Sequence, residues 1–105
     1  MIDITIHYSG SKINGLLIKG HANAGEYGMD IVCAAVSALA QSVILSLTKH
    51  LHFKINYDVK AGYLRINLQD APTELTEAIF SVAVLGFMEI SQKNPDNVAI
   101  STTRG

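Results

Sequence analysis

The sequence predicts an α+β fold with the element order β-β-α-β-β-α-β, in which a mainly antiparallel sheet packs against two helices. Two pairs of stretches with alternating apolar and polar residues, each pair joined by a glycine-containing turn, predict two β-hairpins. A long apolar segment follows the first hairpin, and a segment with helical spacing of apolar residues follows the second. The 105 residues are expected to form one domain, 1–105, because this length is typical of a single domain.

The first hairpin is predicted from residues 2–9 and 13–20. Apolar side chains alternate with polar ones in the first stretch and share one face of the strand: Ile2, Ile4, Ile6 and Tyr8. Gly10-Ser11 has the chemistry of a turn. Residues 22–29 follow the hairpin and show no usable period, so the sequence predicts a glycine-containing, flexible loop there.

An uncharged and largely apolar segment, 31–48, follows the loop and predicts a helix with Asp30 as its N-cap. Its length approaches that of a membrane span. Five polar residues interrupt it: Ser37, Gln41, Ser42, Ser46 and Thr48. Predicted strands also flank it, so we expect a buried or interface helix and no membrane. Because a helix that is apolar on nearly all sides needs cover beyond one sheet, we also expect a homodimer.

The second hairpin is predicted from residues 53–58 and 63–68, which alternate on either side of a glycine turn. Pro72 and the acidic residues after it are typical of a helix start, because the first turn tolerates proline and favours negative charge. The second helix is expected to end near Lys93, before an Asn-Pro pair. Residues 98–102 alternate again and predict a last short strand.

The charge balance argues against direct nucleic-acid binding. Eight lysines and arginines oppose nine aspartates and glutamates, for a formal net charge of −1, whereas proteins that bind phosphates usually have a basic excess. The single cysteine excludes an internal disulfide and favours a reducing compartment. Because the N-terminus has no secretory pattern, we expect a cytoplasmic protein.

Cys33 is open to two interpretations. A lone cysteine is usually a small buried apolar residue. With Asp30 as the N-cap, however, Cys33 would lie in the first helical turn, where the partial positive charge of the helix favours the thiolate. Asp30, Cys33 and Ser37 then share one stripe of the helix. Ser37 would be either a hydroxyl near the sulfur or an ordinary helix serine.

His21 also has two interpretations, a half-exposed loop histidine or a catalytic base. It follows a predicted strand and opens the loop, and a strand end close to a helix start is a common place for a site. Paired with Cys33, its imidazole would give the arrangement of a cysteine nucleophile and its base. Tyr27 in the loop is either a gate to this site or an anchor of the loop on the core.

A resemblance to the ribosomal-processing cysteine proteases called Prp extends over essentially the whole chain. It is carried by two blocks and a glycine between them: Gly20-His21-Ala22, Asp30-Ile31-Val32-Cys33-Ala34-Ala35-Val36-Ser37 and Gly28. The resemblance implies a cytoplasmic endopeptidase that removes the N-terminal extension of a bacterial large-subunit ribosomal protein, a step in ribosome assembly. It also implies a homodimer.

The same resemblance implies a catalytic dyad of Cys33 and His21. From its place on the helix, Asp30 would support this site either as a cap alone or also by orienting His21, and Ser37 would support it as a hydroxyl near the sulfur. The loop, with Gly25, Tyr27 and Gly28, would be a flexible cover over the site.

No metal or cofactor is expected. The nearest candidate is the pair His50 and His52 on a predicted strand face, and two ligands do not complete a metal site. One rival interpretation is a non-catalytic module that binds a ribosomal protein and in which Cys33 is merely buried. A second is a redox thiol protein, which the lack of a resolving cysteine disfavours.

Overall fold

The alternating isoleucines near the N-terminus form the first strand of a five-stranded sheet in the computed structural model. The structure describes residues 1–20 and 29–105, and of residues 29 and 30 the backbone alone. Its strands are β1 (Ile2–Ser9), β2 (Lys12–Lys19), β3 (Ile55–Lys60), β4 (Tyr63–Leu68) and β5 (Val98–Arg104). Its helices are α1 (Met29–Leu45), which continues as a π-helical turn (Ser46–His50), and α2 (Glu74–Lys93). The predicted order β-β-α-β-β-α-β is confirmed.

The strands form one sheet in the order β3-β4-β2-β1-β5. Three of the four pairings are antiparallel, and β5 pairs in parallel with β1 at the other edge. Residues that lie opposite each other across these pairs point to the same face of the sheet. Ile4 faces Ile18, which in turn faces Leu64, so the apolar residues of three strands line up in one row.

Both helices cover the same face of the sheet, and the core lies between the two layers. Its buried residues from the sheet include Ile2, Ile4, Ile6, Leu16, Ile18, Leu64, Ile66 and Val98. The helices contribute Val36, Ala40, Phe80 and Phe87, among others. The opposite face of the sheet presents mostly polar side chains, and those of Asp3, Lys19 and Asn67 are exposed. The structure is therefore a two-layer α+β protein.

Helix α1 with its π-helical turn is the one described segment that is long and apolar enough to cross a membrane. Apolar residues at helical spacing on its inner side are nevertheless buried in the core: Val32, Val36, Ala40, Val43 and Leu47. One side of this segment is therefore a core-facing helix surface of the two-layer fold.

Helix α2 begins with a capping box formed by two threonines. The Thr73 side chain accepts a hydrogen bond from the Thr76 backbone, and the Thr76 side chain accepts one from the Thr73 backbone at 2.8 Å. This arrangement satisfies two backbone donors that a helix start leaves unpaired. The sequence analysis placed Pro72 in the first turn of the helix. In the structure, Pro72 precedes the N-cap Thr73 and therefore lies outside the helix.

The segment between α1 and β3 differs from the sequence prediction. The helix does not end at residue 48, because a wider π-helical turn carries it on to His50. His52 adopts a positive φ of 52°, and the Phe53 backbone N–H donates to the Leu47 carbonyl at 2.8 Å. These contacts hold the chain against the helix end, so β3 begins at Ile55 rather than at Phe53.

Candidate active site

Cys33 lies near the start of α1, as the fifth residue of the helix. Its neighbours Val32 and Val36 are buried and fix that side of the helix against the sheet. Cys33 itself is half-buried and packs against the edge of the core. The core therefore orients this stretch of helix, while Cys33 keeps part of its surface exposed.

Cys33 lines a pocket with a volume of about 320 Å³. The pocket lies between the first turns of α1 and the end of the sheet where β2 ends and β4 begins. Its described lining residues carry no formal charge: Ile2, Ile18, Gly20, Cys33, Ala34, Val36, Ser37, Val59, Gly62, Tyr63 and Leu64. A thiol at the wall of such a pocket can contact the backbone of a bound polypeptide.

Gly20, the last described residue before the loop, lines the same pocket and is held in an unusual conformation. Its φ is +104°, which L-residues rarely adopt. A Cβ atom there would overlap the carbonyl oxygen of Met1. The Gly20 backbone N–H donates to the Gly62 carbonyl at 3.0 Å. The chain therefore leaves β2 through a position that only glycine can occupy, beside the pocket that holds Cys33.

Ser37 lies one turn beyond Cys33 and lines the pocket as well. Its Oγ accepts a hydrogen bond from Gln41 Nε2 at 2.8 Å, so its hydroxyl is also bonded within the helix. This bond within the helix is that of an ordinary helix serine, and a role of the Ser37 hydroxyl near the sulfur stays a prediction.

The position of Asp30 corrects the sequence prediction. Helix α1 begins at Met29, so Asp30 lies inside its first turn and is not the N-cap. Cys33 accordingly lies at the beginning of the second turn rather than within the first. An acidic residue is favourable in the first turn as well as at the cap, because both positions face the positive end of the helix dipole. The sequence pattern therefore marks the region of the helix start, but not its first residue.

Four of the residues that the sequence singled out lie outside the described part of the chain. They are His21, Gly25, Tyr27 and Gly28. The side chain of Asp30 also lies outside it.

The histidine pair is not on a strand face. His50 ends the π-helical turn, and His52 stands in the left-handed conformation before β3. Among the side chains of residues 1–20 and 31–105, no group of three histidine, cysteine or acidic residues is arranged to hold a metal ion.

The sequence analysis missed the sheet side of the pocket. Val59 and Tyr63 line it together with Cys33. The alternation of β3 could have marked Val59 as a residue of the apolar face, but its proximity to α1 depends on the pairing of β3 with β4.

A half-buried thiol at a helix start, beside an uncharged pocket, defines a candidate thiol hydrolase, and the comparisons agree with this class. The family model described as cysteine protease Prp matches residues 1–99. Relatives named ribosomal processing cysteine protease Prp, from Staphylococcus aureus strains Mu50 and NCTC 8325, are each 31% identical over 103 residues. The match covers 95% of this chain and 95% of each relative.

Solved structures share the fold over the full chain length. The crystal structure of SMU.848 from Streptococcus mutans matches with a TM-score of 0.85 and 28% identity, covering 100% of this chain and 96% of that one. The S. aureus ribosomal processing protease Prp with a substrate peptide matches with a TM-score of 0.88 and 22% identity, covering 98% and 100%. Its complex with a covalently linked product peptide gives 0.86 and 23%, with the same coverage.

The chain belongs to the Prp family of cysteine proteases. The resemblance inferred from the two sequence blocks is confirmed, and the protein is a protease of the ribosomal-processing type.

Proposed function

We propose that Cys33 is the nucleophile of this protease and that His21 is its base. The proposal for Cys33 depends on the observation that it is the single cysteine of the chain. A cysteine protease needs a thiol to attack the scissile carbonyl, and the chain has a single cysteine. The position of Cys33 at the wall of an open pocket is consistent with this role.

The choice of His21 rests on the places of the other histidines. His7 bonds Thr103 on the sheet face opposite the helices. His50 lies at the far end of the helix, about 25 Å from Cys33 at the usual helical rise, and His52 follows it. His21 directly follows Gly20, which lines the Cys33 pocket. Of the four histidines, His21 is therefore the one that directly follows, in sequence, a residue that lines the Cys33 pocket.

The dyad performs peptide hydrolysis in two steps, acylation of Cys33 and hydrolysis of the resulting thioester. The Cys33 sulfur attacks the carbonyl carbon while the His21 imidazole takes the thiol proton. The imidazolium then protonates the leaving amine as the C–N bond breaks, which leaves a thioester on Cys33. Water attacks the thioester with His21 as base, releases the carboxylic acid and restores the thiol.

The start of α1 supports this chemistry electrostatically. The first backbone N–H groups of a helix have no partner within the helix and carry partial positive charge. They can stabilise the oxyanion of the tetrahedral intermediate next to Cys33. Asp30 supports the helix start by its negative charge in the first turn, and Ser37 supports the pocket wall.

The substrate we propose is a bacterial large-subunit ribosomal protein with an N-terminal extension, which the enzyme removes in the cytoplasm. Support comes from the ribosomal-processing relatives, which match this chain over 95% of its length. The uncharged pocket is suited to a polypeptide rather than to a charged small molecule.

We also propose that the enzyme is a homodimer. Three large apolar side chains of α2 are about two-thirds exposed and follow helical spacing: Leu75 (64%), Val82 (69%) and Leu85 (64%). Next to them, between α1 and α2, is an apolar cleft of about 140 Å³. A stripe of exposed apolar residues beside a cleft is typical of an association surface, and a two-fold pair would cover it on both copies.

Incubation of the protein with the extended ribosomal protein, followed by mass spectrometry, tests the proposed activity. We expect one cut that releases the extension, and none with the Cys33→Ala variant, which controls for contaminating proteases. An uncut substrate that nevertheless binds would favour the non-catalytic binding module. Cleavage that persists in Cys33→Ala would overturn the assignment of the nucleophile.

A further inference from the structure

The edge strand β3 directs two large apolar side chains to the face of the sheet that bears the helices, yet both stay exposed. Tyr57 lies opposite Ile66, and Val59 lies opposite Leu64, so each pair shares a face. Ile66 and Leu64 are buried, whereas Tyr57 is 52% and Val59 is 44% exposed. The helices therefore cover this face of β4, whereas the same face of β3 is exposed at Tyr57 and Val59, beyond the partly buried Ile55.

This open strip is continuous with the Cys33 pocket. Val59 lines that pocket together with Cys33, Ala34 and Ser37 of α1. Tyr57 lies two residues before Val59 on the same face of the strand, about 7 Å away. We call the Cys33 pocket, together with the exposed apolar strip of β3 from Val59 to Tyr57, the groove.

We propose that this groove holds the substrate polypeptide in an extended conformation, and that Val59 and Tyr57 select its apolar side chains. The proposal rests on the proposed peptidase function of Cys33. In an extended chain, every second side chain points the same way at a spacing of about 7 Å, which matches the spacing of Val59 and Tyr57. Because the strip on β3 is continuous with the Cys33 pocket, we assign the substrate chain, and not an unrelated partner, as the molecule that binds in the groove.

The chemistry of the groove indicates which side chains it accepts. The described residues that line the pocket carry no charge, and a charged side chain placed there would lose its hydration without gaining a partner. Apolar side chains gain free energy by leaving water against Val59 and Tyr57. We therefore assign these two residues as specificity-determining positions and not as catalytic ones.

Two groove variants and one control variant test this assignment. Tyr57→Ser and Val59→Ser remove apolar contacts from partly exposed sites, so both are expected to fold. Met88→Ser is the matched control, because Met88 is similarly exposed, at 54%, but lies on α2 and does not line the pocket. The substrates are a peptide that spans the extension junction and the same peptide with its apolar residues replaced by serine.

Each groove variant is expected to lower kcat/KM on the apolar peptide by about tenfold, through a higher KM with kcat nearly unchanged. Each should also reduce the wild-type preference for the apolar over the serine-substituted peptide. Met88→Ser should behave as the wild type does.

A wild-type KM and preference in both groove variants would overturn the assignment while the peptidase function stands. If the wild-type enzyme cleaves neither peptide nor the extended ribosomal protein, the proposed function fails and the groove assignment fails with it.

Discussion

The backbones of Gly20 and Met1 meet so closely that a Cβ atom on Gly20 would overlap the Met1 carbonyl oxygen. This contact fixes the end of β2 beside the Cys33 pocket. Changing Gly20 therefore disturbs the pocket and the chain that leads to His21 at the same time.

Gly20→Ala is expected to lower the free energy of unfolding by about 3 kcal/mol and to reduce cleavage strongly, because it combines a disfavoured φ with a backbone clash. Gly10→Ala is the matched control. Gly10 also has a positive φ, of 64°, but open space where its Cβ would be, so only about 1–2 kcal/mol and no activity should be lost. Thermal melts and cleavage rates check both. Equal behaviour of the two variants would refute the clash.

The capping box of α2 gives a stability prediction that is independent of the site. Thr73→Ala removes the side chain that accepts from the Thr76 backbone and should cost about 1 kcal/mol. Thr102→Ala on the exposed part of β5 should change stability by less than about 0.5 kcal/mol. Urea unfolding measures both, and cleavage at 25 °C should be unaffected. A Thr73→Ala variant as stable as the wild type would show that the cap contributes nothing.

Glu77 connects α2 to the first hairpin, because its carboxylate accepts a hydrogen bond from the Ile13 backbone N–H at 2.7 Å. Glu77→Ala leaves this partly buried donor without its partner and should cost about 1–3 kcal/mol. Glu77→Gln keeps an acceptor oxygen and should restore much of the loss. Glu74→Ala, in the same first turn, removes only a favourable charge and should cost less, about 0.3–1 kcal/mol. Urea unfolding measures the stability of the three variants. Equal destabilisation by Glu77→Gln and Glu77→Ala would contradict this account.

The proposed dimer surface can be tested with one charge on α2. Val82→Glu places a carboxylate in the middle of the exposed apolar stripe and should give monomers, because an unpaired charge is costly to bury. Gln69→Glu adds the same charge at an exposed position outside α2 and should leave the dimer intact. Sedimentation should find the wild type at twice the chain mass of 11.3 kDa. A wild type that sediments as a monomer at micromolar concentration would refute the dimer.

The sequence predicted the strands well where one face of the strand is buried. The alternation of Ile2, Ile4 and Ile6 gives β1 its bounds, because a half-buried strand requires that pattern. The start of α1 was harder to predict, since Asp30 is favourable both at a helix cap and in the first turn. His52 looked like a strand residue, but tertiary contacts at the end of α1 hold it in the left-handed conformation.

The sequence predicted which helix and which strand end form the candidate site, but it did not predict which other residues line the pocket. It marked Cys33 and the strand end at Gly20 because both stand where an element begins or ends. It could not assign Val59 to the pocket, or Tyr57 to an open groove. Those positions depend on which strands the helices cover, and this is decided only when the layers pack.

The most direct test of the account is the cleavage rate of the extension peptide by wild-type, Cys33→Ser, His21→Ala and His50→Ala proteins of equal thermal stability. We expect Cys33→Ser to lose about 10³-fold or more, because a serine hydroxyl needs far stronger base assistance than a thiol. His21→Ala should lose about 10²–10⁴-fold, and His50→Ala should match the wild type. Near-wild-type cleavage by Cys33→Ser, or equal rates for the two histidine variants, would contradict the proposed dyad.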